Sequence, residues 1–195
     1  MTFSKVAREL ATRRVRYVLI GVRGANLYAR SIGQVFTSQD FNLFVPRNPA
    51  NLLAAWRVLA KLGMELVCNG EPLDQPRDLA LVNHVLRRGA VVRAEDDAGL
   101  IVDLTPVMKG HDFPTVWASR RRLRLGNALV PVAPLEAIVR SKAEADRPKD
   151  RLFLTSHEEV LRTPLQDEPG VRRRSRARRG RARKPGSSVR RPGRR

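Results

Sequence analysis

The chain has 195 residues, an apolar fraction of 42% and a formal charge of +19. That length sets one domain, or one domain with a tail, and the apolar share is enough for a real core. No apolar run reaches the roughly eighteen residues of a membrane span, and the lone Cys68 excludes an internal disulfide and fits a reducing compartment.

The charge is unevenly spread. Residues 172–195 hold thirteen of the 38 basic side chains and no acid, which leaves 25 basic against 19 acidic residues elsewhere. The body is mildly basic and the end extremely so.

In chain order, residues 3–13 place Phe3, Val6 and Leu10 on one helical face. The N-terminal stretch lacks the long apolar segment and small-residue cleavage site of a secretory signal, so the cytoplasm is the expected location. The β-branched run RYVLIG, 16–21, predicts a buried strand stopped by glycine, and Gly21 and Gly24 predict a tight turn opening into a helix. Gly33 breaks the chain again before the strand DFNLFV, which Pro46 ends.

Asn48 or Asn51 caps the next helix, whose apolar set is Leu52, Leu53, Trp56, Leu59 and Ala60; Gly63 closes it. MELVC, 64–68, predicts a strand, and residues 76–88 a helix. AVVRA and GLIVDLTP form a hairpin around Asp96 to Gly99, a short helix covers 112–119, and RLRL-GN-ALVPV forms a second hairpin. A helix follows Pro134, and Pro148 opens one or two short helices reaching about Leu161. Strands and helices alternate without a βαβ rhythm, so the expected class is α+β: a mixed, largely antiparallel sheet with flanking helices over 1–162. From 163 to 195 there is too little apolar surface to offset chain entropy, and a disordered Arg-rich tail is expected.

Alternation on the strand puts Asp40, Asn42 and Phe44 on one face and Phe41, Leu43 and Val45 on the other. The second face belongs to the core. The first carries two oxygen-bearing side chains, which fits either solvent exposure or a ligand. Asp103, inside the apolar run LIVDLTP, is harder to explain as plain structure, because aspartates are rarely buried unless paired or metal-bound. If its strand neighbours DFNLFV, two carboxylates and an amide surround one point, a donor set that suits Mg²⁺. The histidines His84, His111 and His157 show no metal-ligand spacing with one another or with Cys68.

The order of these motifs resembles the nucleotidyltransferase superfamily typified by DNA polymerase β, and within it the bacterial abortive-infection and toxin–antitoxin type. YVLIGVRGANLYA, SQDFNLFV and SKAEADRPKDRLFL echo that family's glycine-turn strand, D-x-D strand and basic helix. The resemblance implies a nucleoside monophosphate moved from a triphosphate to an RNA or protein hydroxyl, with an antitoxin as a partner. It assigns Asp40, Asn42 and Asp103 to two Mg²⁺ ions, with Asp40 and Asp103 catalytic, and Gly21, Gly24, Ser38 and Lys142 to the nucleotide. Two Mg²⁺ ions would clamp the attacking and leaving oxygens.

The sequence departs from the family pattern at Val22, which replaces a second Gly or Ser, and in a longer stretch between the turn and Asp40. It departs again at Asn42, which replaces an aspartate. An amide oxygen coordinates a hard cation but supplies no charge, a loss worth at least about 10- to 100-fold in metal affinity or activity. Two other readings therefore stay open: the same fold with lapsed catalysis, holding a nucleotide or nucleic acid, and a metal-dependent nuclease.

The tail has no aromatic residue for base stacking, so its functional reading is sequence-independent contact with phosphate backbones; the alternative is a read-through of GC-rich codons with no selected role. If about six of its charges engage DNA, log K falls against log salt with a slope near about −5. Filter binding of the full chain to duplex DNA over a salt series checks this, and a slope near zero removes the tail from binding.

Overall fold

The computed structural model describes residues 1–29 and 37–156. The expected break at Gly33, the helix beyond Ser156 and the Arg-rich tail lie outside the described residues. All described elements fall in one compact unit.

The first helix, α1 (Phe3–Thr12), buries Phe3, Val6, Ala7 and Leu10, the stripe that its 3.6-residue period dictates. The short strand β1 (Val18–Ile20) runs straight into α2 (Gly21–Ala29), and β2 (Asp40–Phe44) follows. Helix α3 (Pro49–Lys61) starts where Asn48 accepts a hydrogen bond from the Asn51 backbone N–H at 2.9 Å, with Pro49 at a position that needs no donor. Its buried side chains include Leu52, Leu53, Trp56 and Leu59.

Strand β3 (Glu65–Cys68) is followed by a two-residue strand, β4 (Glu71–Pro72), too short to leave a sequence pattern. Helix α4 (Leu79–Arg88) begins three residues later than its apolar period predicts, because Asp78 caps it by accepting from Leu81 N–H at 3.0 Å. The two hairpins form as expected: β5 (Val92–Glu95) with β6 (Ile101–Thr105), and β7 (Arg121–Leu125) with β8 (Ala128–Val132). Helix α5 (Phe113–Ser119) lies between them, and α6 (Leu135–Ala145) and α7 (Pro148–Ser156) complete the described chain.

The class is α+β. Eight strands form one mixed sheet in the order β4-β3-β5-β6-β2-β1-β8-β7. Only β2 with β6 and β1 with β8 pair in parallel; the other five pairings are antiparallel. Both faces of β2 are covered. Phe41 stacks on Phe3 of α1 at 4.0 Å between ring centroids, and Phe44 meets Phe113 of α5 edge-on at 5.3 Å. The outer strand β7 carries exposed Arg121, Arg122 and Arg124, charges that keep a sheet edge from pairing with another chain.

The corner between α6 and α7 is locked by a buried charge. Asp150 is fully buried and accepts from Lys142 Nζ at 2.7 Å and Arg147 Nε at 2.6 Å, and Lys142 also lies over the Phe153 ring. Burial alone would raise the Asp150 carboxyl, but the hydrogen bonds from Lys142 and Arg147 outweigh it and hold the pKa below the ordinary range. Its contribution to stability is therefore complete above the unfolded carboxyl value of about 3.9 and is lost as pH falls through the lower native value. Asp150→Ala leaves Lys142 buried without its partner and costs roughly 3–5 kcal/mol at neutral pH. Urea unfolding reads this as a lower midpoint, and the gap to wild type narrows as pH drops below about 3.9.

Candidate functional site

The site is a consequence of register. Asn42 on β2 lies directly opposite Asp103 on β6 in the parallel pair, and Asp103 lies opposite Arg93 on β5 in the antiparallel one. Ile20 flanks Asn42 on the other side, and Val67 flanks Arg93. One row of side chains on one face thus reads Val67, Arg93, Asp103, Asn42, Ile20. Asp40 shares that face two residues along β2.

The structure therefore brings Asp40, Asn42 and Asp103 together, as the strand pattern anticipates. Asp40 Oδ2 accepts from Asn42 Nδ2 and its Oδ1 from Ser38 Oγ, each at 2.9 Å. Partial burial pushes the Asp40 carboxyl up, but those two bonds, its own backbone N–H and the charge of Lys149 together pull it below the usual range. Asp103 is 6% exposed, yet it has a partner in the chain. Arg93 grips it bidentately, Nε to Oδ1 at 2.9 Å and Nη2 to Oδ2 at 3.0 Å. The Arg93 pKa is raised, chiefly by that hydrogen bonding, against desolvation that lowers it, and further by the charges of Asp103, Asp40 and Glu95.

Gly21 closes the site from the side of β1. Its φ is +68°, a conformation that side chains disfavour, and a Cβ there would lie 3.3 Å from Asn42 Nδ2. The backbone of the α2 start can approach Asn42 only because this residue has no side chain. Gly24 has a different role from the one expected. It sits within α2, where a Cβ would lie 3.1 Å from both the Leu19 carbonyl oxygen and Ile138 Cδ1, so it lets the helix pack closely.

Lys142 is also placed differently from the expectation. Its ammonium is committed to buried Asp150, with a side chain only 12% exposed. The lysine whose charge reaches Asp40 is Lys149, at the start of α7.

Arg93 is the residue that motif reading missed; Lys149 lies in the basic-helix motif, where the expectation fell on Lys142 instead. Arg93 had an available signal. A hairpin turning at Asp96 to Gly99 pairs Glu95 with Ile101, and stepping back two residues on each strand sets Arg93 against Asp103.

Two Mg²⁺ ions do not fit this donor set. All four carboxylate oxygens of Asp40 and Asp103 already accept hydrogen bonds, and Asn42 turns its NH₂, a donor, toward Asp40. Among the described residues no group of three or more His, Cys, Asp or Glu side chains could hold a metal ion. Free lone pairs remain on the oxygens, but the Arg93 guanidinium brings a full positive charge to Asp103, and like charges repel at this range.

No protein-family model matches the sequence, and no curated protein is significantly similar to it. Among solved structures, the chain is similar to the solution structure of the antibiotic-resistance factor ANT(2'')-Ia, described for its substrate-regulated conformation dynamics. Identity is 18% and the TM-score 0.46, over 82% of this chain and 86% of that one.

The hydrogen bond from Asn42 to Asp40 gives a direct test of the site. Asn42→Ala removes the strongest bond lowering the Asp40 pKa, so that pKa rises toward the ordinary value of about 3.9. Ser38→Ala raises it less. Carboxyl-carbon NMR titration of the three proteins measures both shifts.

Proposed function

We propose that the chain is a nucleotide-binding protein of the nucleotidyltransferase type in which group transfer is lost or strongly weakened. The observation that carries this reading is Asn42. It stands between Asp40 and Asp103 where the resembling family has a third carboxylate, and it donates to Asp40 instead of adding charge. The Gly21 turn supports this reading, because it sets the start of α2 beside Asn42, and the N–H groups of a helix N-terminus suit phosphate oxygens.

In this reading the nucleoside triphosphate lies with its phosphates over the α2 start. Asp40, held by Ser38 and Asn42, shapes the wall beside them and takes no proton from an acceptor. Transfer to an RNA or protein hydroxyl, Mg²⁺ dependence, and a toxin–antitoxin or phage-defence setting rest on the family resemblance. They return only with measured turnover.

The experiment pairs calorimetric binding of each nucleoside triphosphate with a pyrophosphate-release assay in Mg²⁺, on wild type and Asp40→Ala. The expected result is saturable binding by wild type with no release above the variant. Release that Asp40→Ala abolishes would establish an active transferase in place of this reading. Absence of binding by all four triphosphates would remove the nucleotide.

A further inference from the structure

We infer that Arg93 is a built-in replacement for the divalent ion: its guanidinium holds the cation's place beside Asp103, and its free edge receives phosphate without metal. A guanidinium has five N–H donors in a rigid plane. Two of them, on Nε and Nη2, are taken by Asp103, and among the described residues no further acceptor is recorded for the other three. The Arg93 side chain is 46% exposed while the Asp103 side chain is 9% exposed, so the acid is enclosed and the cation opens to solvent.

A metal ion at such a site does two things: it neutralises the carboxylates and presents positive charge to phosphate oxygens. Arg93 is arranged to do both. It neutralises Asp103 through two bonds, it feels the charge of Asp40, and it lies in the same row as Asn42, two strands away and roughly 10 Å at the usual strand spacing, with the Gly21 turn one strand farther. Guanidinium planes suit phosphate in the same way that they suit carboxylate, through paired parallel N–H donors. The charge of Lys149 also reaches Asp40. The loss of a carboxylate at Asn42 and the presence of Arg93 are then one adaptation: with a fixed monovalent cation, a third negative charge would have no counterion.

The phosphate half of this inference rests on the nucleotide reading above; the cation half does not. The test therefore has two arms on the full chain. The first titrates Mn²⁺ alone, by electron paramagnetic resonance, into wild type, Arg93→Gln and the double variant Asn42→Asp/Arg93→Met. Circular dichroism selects the variants that are folded. Wild type is expected to show no saturable Mn²⁺ site at millimolar concentration, and the double variant to bind at least about 10- to 100-fold more tightly. If the double variant does not fold, Arg93→Gln decides the arm. Glutamine removes the positive charge and can still donate one hydrogen bond to Asp103, so a weak Mn²⁺ site opens there.

Saturable Mn²⁺ binding by wild type equal to that of the variants overturns the inference. The second arm measures ATP binding to wild type in EDTA and in Mg²⁺. Equal affinity in the two supports metal-free phosphate binding, and binding that vanishes in EDTA overturns it. Failure of ATP to bind in either buffer sinks the nucleotide reading, while the Mn²⁺ arm still decides what Arg93 does.

Discussion

The parallel register between β2 and β6 is the constraint on which the rest of the molecule depends. It sets Asn42 against Asp103 and Leu43 against Leu104, and so decides at once which side chains make the pocket and which make the core. A slip of one residue would turn Asp103 into the apolar layer and push Leu104 toward the polar row. The rings at both ends of β2 guard against that slip. Phe41 is stacked on Phe3 and Phe44 is held edge-on by Phe113, each on its own face of the strand. The row of site side chains is held in place by the rings packed on either face of the strand.

The electrostatics repeat one solution in two places. Asp150 at the α6–α7 corner and Asp103 in the sheet are both enclosed acids, and each is neutralised by cations of the chain itself. Lys142 and Arg147 serve the first, and Arg93 serves the second. Enclosed carboxylates are costly unless paired, and bidentate or doubled partners are the arrangement that offsets the desolvation. Asp40 differs: it is only partly covered, and its neighbours are dipoles, Ser38 and Asn42, with Lys149 farther out. The corner and the pocket are connected through this arrangement. Asp150 fixes the start of α7, and with it the position of Lys149 relative to Asp40.

Much of this was legible in the sequence because local chemistry declared it. Alternation alone sorted β2 into a polar and an apolar face, the cap Asn48 bounded its helix, and Gly126-Asn127 turned the second hairpin. The isolation of Asp103 in LIVDLTP signalled a buried partner but not its kind, since a metal and an arginine both satisfy a buried carboxylate. Arg93 looks ordinary in AVVRA, and only pairing across the hairpin reveals its role. Lys142 and Lys149 sit in one basic stretch, and no local pattern tells which of them brings its charge to Asp40; the buried acid that claims Lys142 is a tertiary event. The neighbourhood of β2 and β6 was likewise a condition that the sequence could pose but not answer, because strand order is set by the whole sheet.

The pairing of β1 with β8 has a consequence for how the protein is made. Leu19 and Val132 stand near opposite ends of the described chain, yet β8 supplies one whole flank of β1. During synthesis β1 emerges first and must wait, with one edge bare, until β8 has left the ribosome. Long-range pairing of this kind is slow to form, and an unpaired strand edge invites association with other chains in the meantime. The outer flank of β1, just before Gly21, is therefore among the last parts of the sheet to be paired.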